Sequence, residues 1–184
     1  MNNIVIVYHS GYGHTARMAQ AVAQGANAAL IGIDADGNLP DGAWAQLAGA
    51  EAIIFGSPTY MGGISAQLKS MMDATSPRYL QRKWVDKIGA AFTVSASPSG
   101  DKLNMLVGCA TFAMQHGMIW VGVAESPVTG EGYNRLGFFL GAAGQALFEP
   151  PSEKPSAEDK LTGEMLGRRV AKLTLNLLRG KLEQ

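Results

Sequence analysis

The stretch Tyr8-His-Ser-Gly-Tyr-Gly-His-Thr-Ala-Arg-Met-Ala19 decides the fold, because it joins a strand to a helix through a glycine-rich turn. The residues just before it are mostly β-branched and apolar, which predicts a buried strand. Gly11 and Gly13 allow the main chain to turn its amides inward, and the next helix presents its positive end to the same point. Hydroxyl side chains flank the turn on both sides. The stretch therefore predicts a phosphate site at the end of the first strand.

The same turn also fits a dinucleotide fingerprint. The residues from Gly11 to Ala16 read Gly-x-Gly-x-x-Ala, and Asp34 and Asp36 lie about where the acid that binds the ribose is expected. A dehydrogenase of that kind usually needs a further substrate domain, for which this chain has no room. The fingerprint also leaves a second unusual loop unexplained. We keep a dinucleotide-binding protein as an alternative to a phosphate site of another kind.

Predicted strands and helices alternate along the whole chain. The strands are predicted at 3–8, 29–33, 51–56, 87–95 and 118–124, and the helices at 13–28, 42–48, 65–74, 101–116 and 156–178. A long loop is predicted over 125–155. The alternation favours an α/β fold with right-handed crossovers, a flavodoxin-like three-layer sandwich whose five-stranded parallel sheet has the order 2-1-3-4-5. We expect a single domain over 1–184.

The composition argues against several classes of function. Of the 184 residues 47% are hydrophobic, and the 15 Lys and Arg balance the 15 Asp and Glu. This balance gives no basic face for nucleic acid, and no apolar run is long enough for a membrane span. Cys109 is the single cysteine, so no internal disulfide can form, and no His, Cys and carboxylate cluster predicts a metal site. We expect a cytoplasmic protein without a cleavable leader.

Two more loops follow predicted strands at the edge of the sheet where ligands bind. Residues 57–63, Ser-Pro-Thr-Tyr-Met-Gly-Gly, offer an aromatic ring, a soft sulfur and paired glycines that let the chain pass close to a flat group. Residues 95–101, Ser-Ala-Ser-Pro-Ser-Gly-Asp, are small and polar. Their amides and hydroxyls suit the oxygens and ring nitrogens of a flavin pyrimidine, although they also suit the start of the next helix.

Several motifs together resemble one family. They are Ser-Gly-Tyr-Gly-His-Thr at 10–15, Ile-Phe-Gly-Ser-Pro-Thr-Tyr-Met-Gly-Gly at 54–63, Lys-Ser-Met-Met-Asp-Ala-Thr at 69–75, Lys-Ile-Gly-Ala-Ala-Phe at 87–92 and His-Gly-Met at 116–118. With these motifs the chain resembles, over nearly its whole length, the flavodoxin-like NAD(P)H:quinone oxidoreductases of the WrbA family. The resemblance implies FMN as cofactor, NAD(P)H as electron donor and a small-molecule quinone or similar acceptor.

The resemblance also implies which residues bind FMN. Around the phosphate it places Ser10, Gly11, Tyr12, Gly13, His14 and Thr15. Along the isoalloxazine it places Pro58, Thr59, Tyr60, Met61 and Gly62. On the pyrimidine side it places Ser95, Ala96, Ser97, Pro98, Ser99 and Gly100.

Two further residues are assigned by the resemblance. It implies that Tyr79 covers the flavin of a neighbouring subunit, in a homodimer or homotetramer. It implies that His116 contacts nicotinamide or quinone over the flavin, and we infer that His116 orients the acceptor and donates a proton. His116 also suits the C-terminal end of a helix, where a histidine is favoured by the helix dipole. The segment 34–49 is shorter than in the family, where the longer segment helps to build the tetramer, so the assembly stays open. The third loop also differs, since it carries Pro98 and serines where the family is richer in glycine and threonine.

The sequence thus favours an FMN-dependent NAD(P)H:quinone oxidoreductase. One pocket that serves two substrates in turn implies a ping-pong cycle. Two alternatives remain: a one-electron carrier flavodoxin, against which a pI near 6.8 counts, and a flavin- or dinucleotide-binding regulator without turnover.

Overall fold

A computed structural model describes residues 3–129 and 132–182. Strands and helices follow one another in nearly the predicted order. The strands are β1 (Ile4–His9), β2 (Ala29–Ile33), β3 (Ala52–Tyr60), β4 (Gly63–Ile64), β5 (Ile88–Ser95), β6 (Ile119–Trp120) and β7 (Ala142–Gln145). The helices are α1 (His14–Ala26), α2 (Ala43–Gly49), α3 (Ala66–Asp73), α4 (Ser76–Leu80), α5 (Lys102–Gln115) and α6 (Ala157–Leu182).

A parallel sheet runs through the middle of the molecule. Its order is β2-β1-β3-β5-β6, and β7 also pairs with β5 in parallel. Val7 of β1 lies beside Ile31 of β2 and Phe55 of β3, so that these three buried side chains form one row across the sheet. The predicted α/β flavodoxin-like fold is confirmed. Within the described ranges, no helix combines the length and the apolar character that crossing a bilayer requires.

The fifth position of the sheet differs from the prediction. A continuous strand was expected at 118–124, followed by a loop over 125–155. Instead β6 pairs with the start of β5, at Ile88, and β7 pairs with its end, from Phe92 to Ser95. The chain leaves the sheet after β6 and returns as β7 on the same edge. The composition of the excursion resembles a loop, and the four residues of β7, Ala-Ala-Gly-Gln, lack the β-branched side chains that announce a strand.

The third strand is also longer than predicted. Residues 57–60, expected in a loop, continue β3 beside β5, with Ser57 opposite Thr93 and Pro58 opposite Val94. Pairing with β1 stops at Gly56, so the missing N–H of Pro58 removes no hydrogen bond on that side. Only Met61 and Gly62 form the turn into the antiparallel strand β4.

Helices cover both faces of the sheet. One buried apolar cluster joins the sheet to α2, α3 and α5, and the other joins it to α1 and α6. Helices α1 and α6 cross at very short range: a Cβ added at Gly25 would overlap the carbonyl of Glu164, and one added at Gly167 would overlap that of Val22. This close crossing fixes the C-terminal half of α1 against α6.

Candidate active site

Four segments meet at the carboxyl edge of the sheet and form a cleft. Three of them are the segments predicted from the sequence, which follow or end β1, β3 and β5, and the fourth follows β7. The cleft is lined by Tyr12, His14, Thr15, Pro58, Thr59, Tyr60, Val94, Ser95, Ala96, Ala146 and Leu147. Carboxyl edges of parallel strands are where ligands bind in open α/β sheets.

The turn after β1 leaves its amides unused. Gly13 precedes α1 with a φ of 89° and has no side chain that could cap this helix. The Ser10 hydroxyl accepts from the amide of Ala16 at 3.0 Å, but the amides of residues 11–15 form no hydrogen bond within the described part of the chain. Amides at the start of a helix that lack a partner form an anion site. Ser10 and Thr15 lie beside these amides, so the turn has donors of the kind that the predicted phosphate site requires.

The turn between β3 and β4 supplies one wall. Met61 and Gly62 both have positive φ values, 45° and 81°, the combination of a tight hairpin turn. The Met61 side chain, next to Tyr60 in the chain, is fully exposed. The rings of Tyr60 and Tyr12 meet edge to face with centroids 6.3 Å apart, and both rings are exposed enough for a flat ligand to contact them.

A buried polar network supports this wall from behind. The Ser57 hydroxyl donates to the carbonyl of Pro58 at 2.7 Å and accepts from the amide of Ser65 at 3.0 Å. The Ser65 hydroxyl lies 3.0 Å from Nδ1 of His9, whose ring meets Tyr60 edge to face. Burial lowers the pKa of His9. His9 is therefore a neutral structural support for the hairpin.

The third loop lies against the second. The side-chain amide of Asn104 donates to the carbonyl of Gly62 at 2.7 Å, which ties α5 to the hairpin turn. The side chains of Ser97, Pro98 and Ser99 are exposed, whereas Ser95 and Ala96 line the cleft. Lys102, the first residue after the loop, is fully buried. Its side chain binds carbonyl groups of the loop from the protein interior.

The sequence analysis missed the fourth segment. Ala146 and Leu147 line the cleft, and Phe148 beside them is 93% exposed. Nε2 of His14 lies 2.7 Å from the carbonyl of Glu149, which fastens this segment to the phosphate turn. The apolar pair Leu147-Phe148 within a predicted loop was a signal in the sequence. Without the strand β7, however, nothing placed this pair at the carboxyl edge of the sheet.

Tyr79 and His116 lie away from this cleft. His116 follows α5 and precedes β6, and it packs on Trp84, which precedes β5. Both positions belong to the amino edge of the sheet. Tyr79 meets His116 edge to face with ring centroids 5.8 Å apart. A single chain therefore does not bring these two residues to its own loops.

His116 is enclosed in a small aromatic cage. Its ring is 3% exposed and packs against Trp84 and Phe112 at centroid distances of 4.7 and 4.8 Å. The Thr75 hydroxyl donates to the carbonyl of Met72, so it accepts the proton of His116 Nε2 at 2.9 Å. Nδ1 has no partner among the described residues. Burial, together with Arg82, lowers the pKa of His116, which keeps the ring neutral.

The acid expected for the dinucleotide alternative is already engaged. Oδ1 of Asp34 accepts from the amides of Asp36 and Asn38 at 3.0 and 2.7 Å, and Oδ2 accepts from the Asn38 side chain at 3.3 Å. The carboxylate closes the turn after β2. It is therefore less available for a ribose than the fingerprint requires.

The cleft fits FMN. Its unpartnered amides suit a phosphate, its two tyrosine rings suit a flat ring system, and the small polar third loop suits a pyrimidine edge. Residues 9–124 match the model of the NADPH-dependent FMN reductase family, which is more than half of the chain.

The chain belongs to this family.

Known relatives support the same assignment. A protein named flavodoxin FldP from Pseudomonas aeruginosa is 43% identical over 178 residues, covering 94% of this chain and 97% of that protein. An NAD(P)H dehydrogenase (quinone) from Archaeoglobus fulgidus is 31% identical and covers 96% of this chain and 100% of its own. The crystal structure of a flavodoxin, WrbA-like protein from Agrobacterium tumefaciens has 44% identity and a TM-score of 0.82, covering 96% of this chain and 99% of that one. The predicted resemblance to WrbA is confirmed, and the protein is a flavin oxidoreductase with FMN as cofactor and NAD(P)H as reductant.

Proposed function

We propose that this FMN reductase family member transfers two electrons from NAD(P)H to a quinone or a similar small acceptor. The observation that carries the proposal is the open cleft at the carboxyl edge, where the phosphate turn, two tyrosine rings and the third loop meet. Exposed apolar side chains, those of Met61 and Phe148, directly follow Tyr60 and Leu147 of its lining in the chain. They offer a binding surface for flat, apolar groups such as a nicotinamide ring or a quinone.

Each segment has a defined task in this proposal. The amides of residues 11–15, with Ser10 and Thr15, hold the phosphate of FMN. Tyr60 and Tyr12, with Pro58 and Thr59, bound the ring system, and Ser95 to Gly100 bind its pyrimidine side. When bound, FMN supplies the hydride chemistry that no side chain of the chain can provide. The protein then positions the two substrates in turn in the same open space, which gives a ping-pong cycle.

Tyr79 and His116 act in this proposal on a second copy of the chain. They lie at the amino edge, so they reach a flavin only when that edge meets the carboxyl edge of another subunit. His116 would orient the acceptor through the Nε2–H group that now binds Thr75, and would pass that proton on while Nδ1 takes one up from water, so that the ring stays neutral.

The first experiment tests electron transfer itself. The protein is loaded with FMN, freed of excess flavin and mixed without oxygen with NADH or NADPH, while the visible absorbance of the flavin is followed. Rapid bleaching, followed by recovery on adding a quinone, is the expected result. Retained flavin that stays oxidised would contradict the proposal.

A second experiment tests the role of His116. His116→Ala is expected to slow turnover while FMN stays bound, whereas Gly13→Val empties the phosphate turn. In the proposed site one subunit binds FMN and the other supplies His116. A mixed oligomer therefore contains sites in which the His116→Ala subunit binds FMN and the Gly13→Val subunit supplies His116, so mixing the two variants should restore part of the activity. If His116→Ala turns over at the wild-type rate, or if mixing restores nothing, the assigned role is wrong.

A carrier flavodoxin is the second candidate. The relative named flavodoxin is 43% identical, whereas the relatives named NAD(P)H dehydrogenase (quinone) are 28–31% identical. A carrier needs no Tyr79 or His116 near its flavin, which agrees with their place in a single chain. Flavin that NAD(P)H leaves oxidised, but that takes up one electron from dithionite and holds it stably, would favour this function.

A further inference from the structure

Lys102 is a lysine in a place where lysines are rare. It begins α5, directly behind the third loop, and its side chain is completely buried. Burying an ammonium group is costly unless hydrogen bonds and charges compensate for the loss of water. The contacts of this side chain therefore indicate what the protein gains from it.

Lys102 gathers three consecutive carbonyl groups of the third loop. Its Nζ donates to the carbonyl of Ser97 and, at 3.3 Å, to that of Pro98. Its main-chain amide donates to the carbonyl of Ser99 at 3.1 Å. Nothing else in the described chain holds these three oxygens. Lys102 thus holds the middle of the loop, residues 97–99, whereas the Ser95 hydroxyl holds the carbonyl of Gly100.

Turning the carbonyls inward has a consequence for the amides. In a trans peptide the C=O and the following N–H point in opposite directions. With the carbonyl of Pro98 directed to Nζ, the amide of Ser99 is directed away from it, towards the exposed side of the loop. An outward amide is the donor that a carbonyl of a flavin pyrimidine requires.

The ammonium also leaves one donor unused. It carries three protons, and two of them bind Ser97 and Pro98. No third acceptor lies within reach among the described residues. A Cβ built on Gly100 would lie 3.3 Å from Nζ and would also overlap the hydroxyl of Ser95, a residue that lines the cleft. The charge therefore lies directly beneath the part of the loop that faces the cofactor.

The positive charge of the Lys102 ammonium group is only partly neutralised by the charges around it. Asp159 of α6, which is 1% exposed, is the acid whose charge favours the ammonium form, but its oxygens already bind Arg135 at 2.8 Å and the amide of Gln145 at 2.9 Å. Burial lowers the pKa of Lys102 to about 8, Asp159 opposes this, and Arg135 adds to it. Asp101, the preceding residue, is exposed. The ammonium is thus charged at neutral pH but would gain from a further negative charge nearby.

We propose that Lys102 is a positioning residue that holds the third loop in its flavin-binding shape and, through its charge, favours the reduced and more negative form of FMN. The proposal rests on the FMN site described under Proposed function. It adds a residue outside the cleft that sets both the affinity for FMN and the balance between its oxidised and reduced forms.

The test compares three variants. Lys102→Met keeps the length but removes the donors and the charge, Lys102→Gln keeps a donor without the charge, and Lys172→Met removes an exposed lysine of α6 as a control. FMN dissociation constants come from titration of the apoprotein. Midpoint potentials come from reduction with dithionite against reference dyes, so NAD(P)H is not needed. Circular dichroism checks that each variant is folded.

The expected results separate the two parts of the role. Lys102→Met should weaken FMN binding about tenfold and weaken the preference for reduced FMN about tenfold, which lowers a two-electron midpoint potential by about 30 mV. Lys102→Gln should recover much of the affinity but keep the lower potential. Above pH 8, where Lys102 loses its proton, the wild-type potential should approach that of Lys102→Met.

Two outcomes would overturn the proposal. If folded Lys102→Met matches Lys172→Met in both affinity and potential, Lys102 has no influence on the flavin. If affinity falls but the potential is unchanged in both Lys102 variants, the lysine only fastens the loop, and the charge has no part. Wild-type protein that binds FMN but ignores NAD(P)H would instead contradict the proposed oxidoreductase activity, leaving the Lys102 measurements valid.

Discussion

Replacing Gly11 with alanine tests whether Tyr60 forms the wall of the flavin site. A Cβ built on Gly11 lies 2.5 Å from the hydroxyl oxygen of Tyr60, whereas the next ring atoms are at 3.5 and 3.7 Å, ordinary contact distances. Gly11 has no positive φ, so the main chain accepts alanine. The tip of the tyrosine must therefore move by roughly 1 Å to reach normal separation.

We expect this displacement to weaken FMN binding. A shift of this size in a half-exposed ring costs about 1 kcal/mol, less than overpacking in a rigid core, which corresponds to a loss of about fivefold in affinity. Tyr60→Phe removes the only atom in close contact. The double variant Gly11→Ala with Tyr60→Phe should therefore bind FMN within about twofold of Tyr60→Phe alone, a coupling of about 1 kcal/mol.

The measurement is a titration of apoprotein with FMN, followed by the quenching of flavin fluorescence. Gly32→Ala is the matched control, because its Cβ would meet another tyrosine hydroxyl, that of Tyr8, at 3.7 Å. This control should bind FMN as the wild type does. Additive losses in the double variant would show that Tyr60 is not the group that alanine displaces, and the wall assigned to Tyr60 would then be wrong.

Other predictions concern stability and reactivity. Gly167→Ala should lower the free energy of unfolding by about 1–3 kcal/mol, because its Cβ overlaps a carbonyl of α1, whereas Gly180→Ala in the same helix meets nothing and should raise it by about 0.5–1 kcal/mol; thermal melts compare the two. The pKa values of His9 and His116 are lowered in the folded state, so the unfolded chain binds more protons below about pH 6.5 and the free energy of unfolding should fall there. Urea unfolding at pH 7 and pH 5 measures this fall. Replacing both histidines with glutamine should make the difference between the two pH values smaller. Cys109 is buried and burial raises its pKa, so a thiol reagent should label it only after unfolding, as mass spectrometry would show.

The sequence was most informative where local chemistry dictates structure. The turn at Gly11 and Gly13 follows β1 as expected, and α3 and α6 begin within one residue of the predicted starts at 65 and 156. The hydroxyls of Ser65 and Ser156 accept hydrogen bonds from amides in the first turns of these helices. These features depend on neighbours within a few residues, so a linear reading can find them. The order of the central strands followed from the alternation of elements and the handedness of crossovers.

Long-range pairing was the part that could not be predicted. Nothing in residues 142–145 shows that they return to the edge of β5, because the pairing is specified by a neighbour about fifty residues earlier in the chain. The cleft wall at Ala146 and Leu147 was missed for the same reason. The separation of His116 from the loops, by contrast, follows from the predicted elements, because a residue between a helix at 101–116 and a parallel strand at 118–124 lies at the amino edge of the sheet. Only its enclosure by Trp84 and Phe112 needed the structure.

The detour between β6 and β7 offers a place for protein engineering. Its two ends are clamped together, since the amide of Val123 donates to the carbonyl of Phe139 at 2.9 Å and the indole of Trp120 donates to that of Leu140 at 3.0 Å. A guest domain inserted near the exposed Val128 would therefore load a closed stem rather than the sheet. Because β7 leads directly into the cleft at Ala146, the same clamp lies between an insertion at Val128 and the flavin site, so the guest should leave FMN binding unchanged.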